Sequence, residues 1–204
     1  MSCFVPILQN SRELENGIVV GGRMVSMTPT RADAWQLLAE HVASESLRKH
    51  CQCVEAAMRA MAKVYGGDEE AWGIIGLLHD FDYERYPDIH EHAVKGAEIL
   101  RERGYPEEII HAVLSHNEAT GVPRESMMEK SLAAVDELSG FVLACAYVRP
   151  TRFEGMTAQS VEKNLRKRGF AEKVNRGEID RGIAALGADR TAHIELVIGA
   201  LRGI

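Results

Sequence analysis

Apolar positions recur along most of this chain at steps of three and four, the spacing of one helix face. The clearest run is Leu47, Cys51, Val54, Met58, Met61 and Tyr65. It predicts a long amphipathic helix opened by Ser44 or Ser46 and closed at Gly66-Gly67. Before it, Thr30 followed by Asp33 forms a capping pattern and predicts a helix to about Val42. After it, Asp68 caps a helix from Glu69 to about Leu78. The core of that helix, Ala71 to Leu78, has no polar face, as expected of a central helix packed on several sides. Beyond the Tyr86-Pro87 break, helices are predicted over about 89–103 and 106–116, the second with Pro106 in its first turn. A polar loop with Gly121 and Pro123 leads to a long helix over about 127–148, stopped at Pro150. The tail predicts helices near 157–168, 177–185 and 189–202, punctuated by Gly169 and Gly187.

Residues 1–27 differ. Ile18-Val19-Val20, Gly21-Gly22 and Arg23-Met24-Val25 read either as a short hairpin with a tight turn or as a loosely held N-terminal arm. The fold class expected is all-α, a helical bundle over 28–204. Its core would span 28–150, with further helices over 151–204.

Composition narrows the function. At 204 residues and 46% hydrophobic, the chain can bury one sizeable core. A formal charge of -6 argues against a nucleic-acid polymer as partner, because phosphate neutralisation needs a concentrated basic surface. A small phosphorylated substrate needs only a local cation. Cysteines at 3, 51, 53 and 145 do not form a disulfide framework, and Cys51-Gln52-Cys53 lacks the second pair of a zinc site. No signal peptide is expected. The apolar stretch Ser131 to Val148 carries Asp136 and Glu137, so it is expected to be a core helix, not a membrane span. The expected location is cytoplasmic.

The candidate chemistry begins at the end of the apolar helix, where His79-Asp80 follows Leu78. A His-Asp pair alone is weak evidence, but here a buried helix delivers two metal-ligand side chains to the interior. Asp136 sits in an apolar helix with no cation three or four residues away, so it needs a distant partner or a metal. His50 lies at the edge of the apolar stripe and is either a packed core residue or a ligand. Together His50, His79, Asp80 and Asp136 form a set suited to a divalent, fairly hard metal with an open water position.

These motifs resemble those of the HD superfamily of metal-dependent phosphohydrolases. Leu77-Leu78-His79-Asp80-Phe81-Asp82 takes the place of the HDIG signature, and Ala133 to Ser139 that of its closing Asp motif. His92-Ala93-Val94-Lys95-Gly96 and Ile109 to His116 resemble the segments that carry further histidines. Asp82 stands where HDIG has Gly, and Tyr83 where Lys often follows, so the loop 82–87 is expected to form a distinctive pocket wall. The resemblance implies an all-helical HD bundle and one or two divalent ions (Mn, Fe, Co, Ni, Mg or Zn). His92 and His116 would hold a second ion with Asp80 bridging, or bind phosphate, or simply pack. His90, His111, His41 and His193 are left out of the site, the last two as surface residues.

The reaction implied is hydrolysis of a nucleotide or other small phosphomonoester by metal-activated water. Asp80 would accept the water proton. Lys95, one turn after His92 on the expected helix face, would clamp phosphate, and Asp82 would donate a proton to the leaving group. Arg149 is read as a charge at a helix C-terminus or as an interface residue. Two alternatives stand beside this one: an HD-fold di-iron oxygenase, and a nucleotide-sensing module without turnover.

Overall fold

The computed structural model describes residues 29–204, together with the backbone of two short strands, β1 (Ile18–Val20) and β2 (Arg23–Val25). The strands pair antiparallel with Val20 opposite Arg23, the register of a two-residue hairpin turn. The turn itself, Cys3 and the remainder of 1–28 lie outside the described residues.

Local chemistry sets the helix boundaries. α1 (Arg31–His41) begins at a reciprocal box in which the Thr30 hydroxyl accepts from Asp33 N and the Asp33 carboxylate accepts from Thr30 N. Ser44, not Ser46, caps α2 (Glu45–Tyr65), which ends at Gly66 with φ 70°. Asp68 caps α3 (Glu69–Leu78) by accepting from Ala71 N. α4 (Val94–Glu102) and α5 (Glu107–His116) follow, with Pro106 as the N-cap of α5. Then come α6 (Met127–Tyr147), α7 (Ala158–Leu165), α8 (Arg176–Leu186) and α9 (Arg190–Leu201). No helix among the described residues is long and apolar enough to cross a membrane.

The core is all-helical, and α3 is buried along most of its length. Ile74, Ile75, Leu77 and Leu78 are fully buried, together with Met58 and Met61 of α2 and Leu132 and Phe141 of α6. α3 packs against α2 so closely that a Cβ at Gly76 would meet Val54 O at 2.8 Å and Glu55 Cα at 2.9 Å. α8 packs against α6 in the same manner, with Gly182 against the backbone of Ala133 and Ala134. Glu55 is buried at the α1–α2–α3 junction, where Arg31 and Arg59 both donate to it. The pairing offsets the cost of burying its charge.

Two expectations are corrected. The helix expected over 89–103 starts only at Val94, and residues 88–93 form turns that end at Ala93 with φ 66°. His41 and His193 are not surface residues. His41 is 9% exposed, its Nδ1 donating to Leu37 O and its ring against Phe81, and His193 is 4% exposed with Nε2 donating to Ala134 O. A helix carbonyl satisfies each ring, which is what lets it be buried. Arg149 closes the turn after α6 by donating to Arg152 O and Glu154 O, as a C-terminal charge should.

Candidate metal centre

Five segments meet at the C-terminal end of α3, that end itself included. His50 comes from α2, Asp136 from α6 and His116 from the last residue of α5. His79 and Asp80 leave α3, and His92 comes from the turn before α4. The six side chains divide into two groups whose ligand atoms lie close together, His50, His79 and Asp136 in one, Asp80, His92 and His116 in the other.

In the first group, His50 Nε2 is 3.2 Å from His79 Nε2 and 3.1 Å from Asp136 Oδ1, and His79 Nε2 is 3.3 Å from Asp136 Oδ1. In the second, His92 Nε2 and His116 Nε2 are 3.0 Å apart and lie 3.1 and 3.4 Å from Asp80 Oδ1. Asp80 joins them. Its other oxygen, Oδ2, is 3.6 Å from His79 Nε2 and 3.8 Å from His50 Nε2.

The tautomers follow from the outer contacts. His79 Nδ1 faces Gly76 O at 2.8 Å, His116 Nδ1 faces Val113 O, and His92 Nδ1 faces Asp82 Oδ1 at 2.9 Å. Carbonyl and carboxylate oxygens only accept, so each Nδ1 carries the proton and each Nε2 turns a lone pair inward. Lone pairs and carboxylates facing one another repel unless a cation lies between them. Two donors each about 2.1 Å from one ion lie roughly 3.0 to 3.4 Å apart, across octahedral to tetrahedral angles. The spacings within each group of three fall in that interval, so each group fits a divalent metal, while Asp80 Oδ2 stands a little farther from the first group.

The field points the same way. Burial alone would lower the His79 pKa, but Asp80 and Asp136 overcome it and lift it to about 10. Burial likewise opposes charge on His92, and Asp80 and Asp82 raise it to about 9. Burial also works against the Asp136 anion, yet His79 and His50 hold its carboxyl far below the usual range. A site that retains protons this strongly attracts any cation. Access is from the side of His50, Asp80 and Asp136, whose side chains are about a fifth exposed while His79 is fully buried.

All six expected ligands thus lie together, but the other two expected site residues do not join them. Asp82 is fully buried, and beyond His92 it accepts from Ala93 N and Gly96 N, both at 2.9 Å. It cannot reach a leaving group. Its role is to orient His92 and to anchor the start of α4. A Cβ at Gly96 would sit 2.9 Å from the Asp82 carboxyl carbon, so only glycine lets that backbone approach. Lys95 sits on a helix that His92 does not share, and its ammonium is held by Glu98 at 2.8 Å on the surface. His111 is apart from the cluster, paired with Glu129 at 2.6 Å.

Sequence reading passed over Glu137, the neighbour of Asp136. Burial, with Asp136 beside it, lifts its pKa to about 7, and it accepts from Asn175 N just ahead of α8. An acid next to Asp136 in an apolar helix was the available signal. Its partner in the distant tail was not legible.

Comparison with known proteins places this geometry. Residues 47–140, which carry all six of these side chains, match the HD domain family model. The chain is 35% identical over 98 residues to a ribonuclease Y of Oleidesulfovibrio alaskensis, covering 48% of this chain and 18% of that protein. It is 36% identical over 106 residues to an uncharacterised protein of Methanocaldococcus jannaschii, covering 50% and 62%. It is 27% identical over 159 residues to a tRNA (cytidine(56)-2'-O)-methyltransferase of Thermoplasma volcanium, covering 76% and 46%. The chain spans less than two thirds of the length of each of these relatives. No solved structure matches it significantly. Over residues 47–140 the chain is thus similar to the HD domain family, whose members are generally metal-dependent hydrolases.

Proposed function

We propose that this chain hydrolyses a phosphoester, a nucleotide or other small phosphomonoester, with the six-residue cluster as its metal centre. One observation carries the reading: the two oxygens of Asp80 face separate donor groups, Oδ1 toward His92 and His116 and Oδ2 toward His50 and His79. His50, His79 and Asp136 would hold one ion, and His92 and His116 a second, with Asp80 shared between them. When bound, such ions lower the pKa of water and polarise a phosphate oxygen. Asp80, about a fifth exposed, is the carboxylate best placed to take the proton of an attacking water. The net charge of -6 favours a small phosphorylated substrate over a nucleic-acid polymer, although relatives include a ribonuclease.

The test is phosphate release from nucleotides and sugar phosphates by protein loaded with Mn, Co, Ni, Fe or Mg, with an RNA oligonucleotide alongside. Asp80→Ala is expected to lose bound metal and to lower turnover at least ~1000-fold, as removal of a shared ligand should. Turnover by a metal-free Asp80→Ala protein would sink the proposal. The four-histidine, two-carboxylate set also suits iron, so an iron form that takes up no oxygen decides against the oxygenase alternative, and one that does take it up decides for it. Tight nucleotide binding without phosphate release under any metal would make the chain a sensor.

A further inference from the structure

Asp80 is followed by a turn in which almost every side chain is pinned. Asp82 is buried under three donors. Glu84 accepts from Ala43 N and Ser44 N ahead of α2, and Arg85 donates to Glu40 O. Tyr83 is the exception. Its backbone N–H donates to Asp80 O at 3.1 Å, but its hydroxyl bonds to none of the described residues, and the residue is 45% exposed. Its ring meets the His92 ring edge to face, centroids 5.1 Å apart at 83°. His92 in turn places Nε2 3.1 Å from Asp80 Oδ1. One imidazole therefore separates an exposed aromatic ring, on a rigid backbone, from the shared carboxylate.

We infer that Tyr83 is the substrate-contacting residue that sets specificity at this site, stacking on a flat ring carried by the leaving group of the phosphoester. The inference rests on the phosphomonoester reading and deepens it. An edge-to-face contact with His92 engages only part of the phenol, and the remaining surface is apolar and open. Such a surface beside a phosphate-binding metal centre discriminates by planarity, because any nucleobase or aryl ring covers it and a bare sugar does not. A pinned turn also means that little ordering is needed when the ring lands.

AMP and ribose 5-phosphate share the same ester and primary alcohol and differ by the base, so their affinity ratio isolates the ring. Calorimetry on the Mn-loaded protein is expected to give about 10-fold tighter binding of AMP, the scale of one aromatic–base stack. Tyr83→Leu should bring the ratio close to one, and Tyr83→Phe should keep it. A wild-type ratio near one, or a Tyr83→Leu variant that weakens both ligands equally or leaves the ratio intact, would overturn the inference, since those are the marks of a residue that only supports His92. Because the readout is binding, a preserved ratio without phosphate release would leave Tyr83 in its role and remove the hydrolytic reading instead.

Discussion

Asp82 accepts the Nδ1 proton of His92 at 2.9 Å, and that contact decides which nitrogen His92 turns toward Asp80. The same carboxylate holds the backbone of Ala93 and Gly96, so the orientation of a ligand and the start of α4 depend on one side chain. Asp82→Ala should therefore act twice. Metal affinity at the His92–His116 position should fall about 10–100-fold, the usual effect of removing a partner that orients a ligand. The fold should lose about 2–4 kcal/mol, because buried N–H donors are left without an acceptor. Metal titrations and denaturant melts check the two effects separately, and unchanged metal affinity would refute the orienting role.

Gly76 makes a second prediction away from any ligand. A Cβ there would press on the backbone of Val54 and Glu55 and push α2 away from α3. Since α2 carries His50 and α3 leads into His79, Gly76→Ala should destabilise the fold by about 1–3 kcal/mol and weaken metal binding as well. Gly199 in α9 has nothing within 4 Å of its would-be Cβ. There Gly→Ala should stabilise by about 0.5–1 kcal/mol and leave metal affinity alone. Equal effects at the two sites would contradict the packing described.

Acid should weaken the fold through two histidines outside the metal centre. Burial lowers the pKa of His41 and of His193 in the folded state. The unfolded chain then binds more protons below its ordinary value of about 6.5, so the stabilisation is present above that pH and is lost as the pH falls through it. The variant His41→Gln/His193→Gln should be less stable at pH 7.5, yet lose less further stability than the wild type between pH 7.5 and 5.5. Parallel curves in chemical denaturation at the two pH values would count against it. The comparison of variant with wild type cancels the opposing contribution of the cluster histidines.

Metal removal should be visible without any substrate. An ion that binds only the folded state stabilises it by about 2.7 kcal/mol at a hundred times its Kd. Chelation is thus expected to lower the melting temperature and Mn to restore it, and a melting temperature indifferent to both would argue that no ion binds the cluster.

Much of this was legible in the sequence, and the places where it was not share a cause. Ser44, Asp68 and Thr30 announce their helices because a cap is a local bond between near neighbours. The apolar helix ending at His79-Asp80 announces the centre for a similar reason, since periodicity and burial go together. The start of α4 was missed because it is decided by Asp82, which pulls on Ala93 and Gly96 from 11 and 14 residues away. The buried His41 and His193 were missed because a single ring shows no periodicity, and for His193 the accepting carbonyl lies 59 residues distant. Lys95 was misplaced by extending a helix through a turn that this same carboxylate imposes.

The close seat of Gly182 on Ala133 and Ala134 gives the C-terminal helices a part in the chemistry. The matched segment ends at residue 140, whereas α8 lies at 176–186 and braces α6 within a turn of Asp136. Ancestry and mechanical support therefore have different borders in this chain. A fragment trimmed to the family match would keep every ligand and lose the buttress that fixes the angle at which α6 presents one of them.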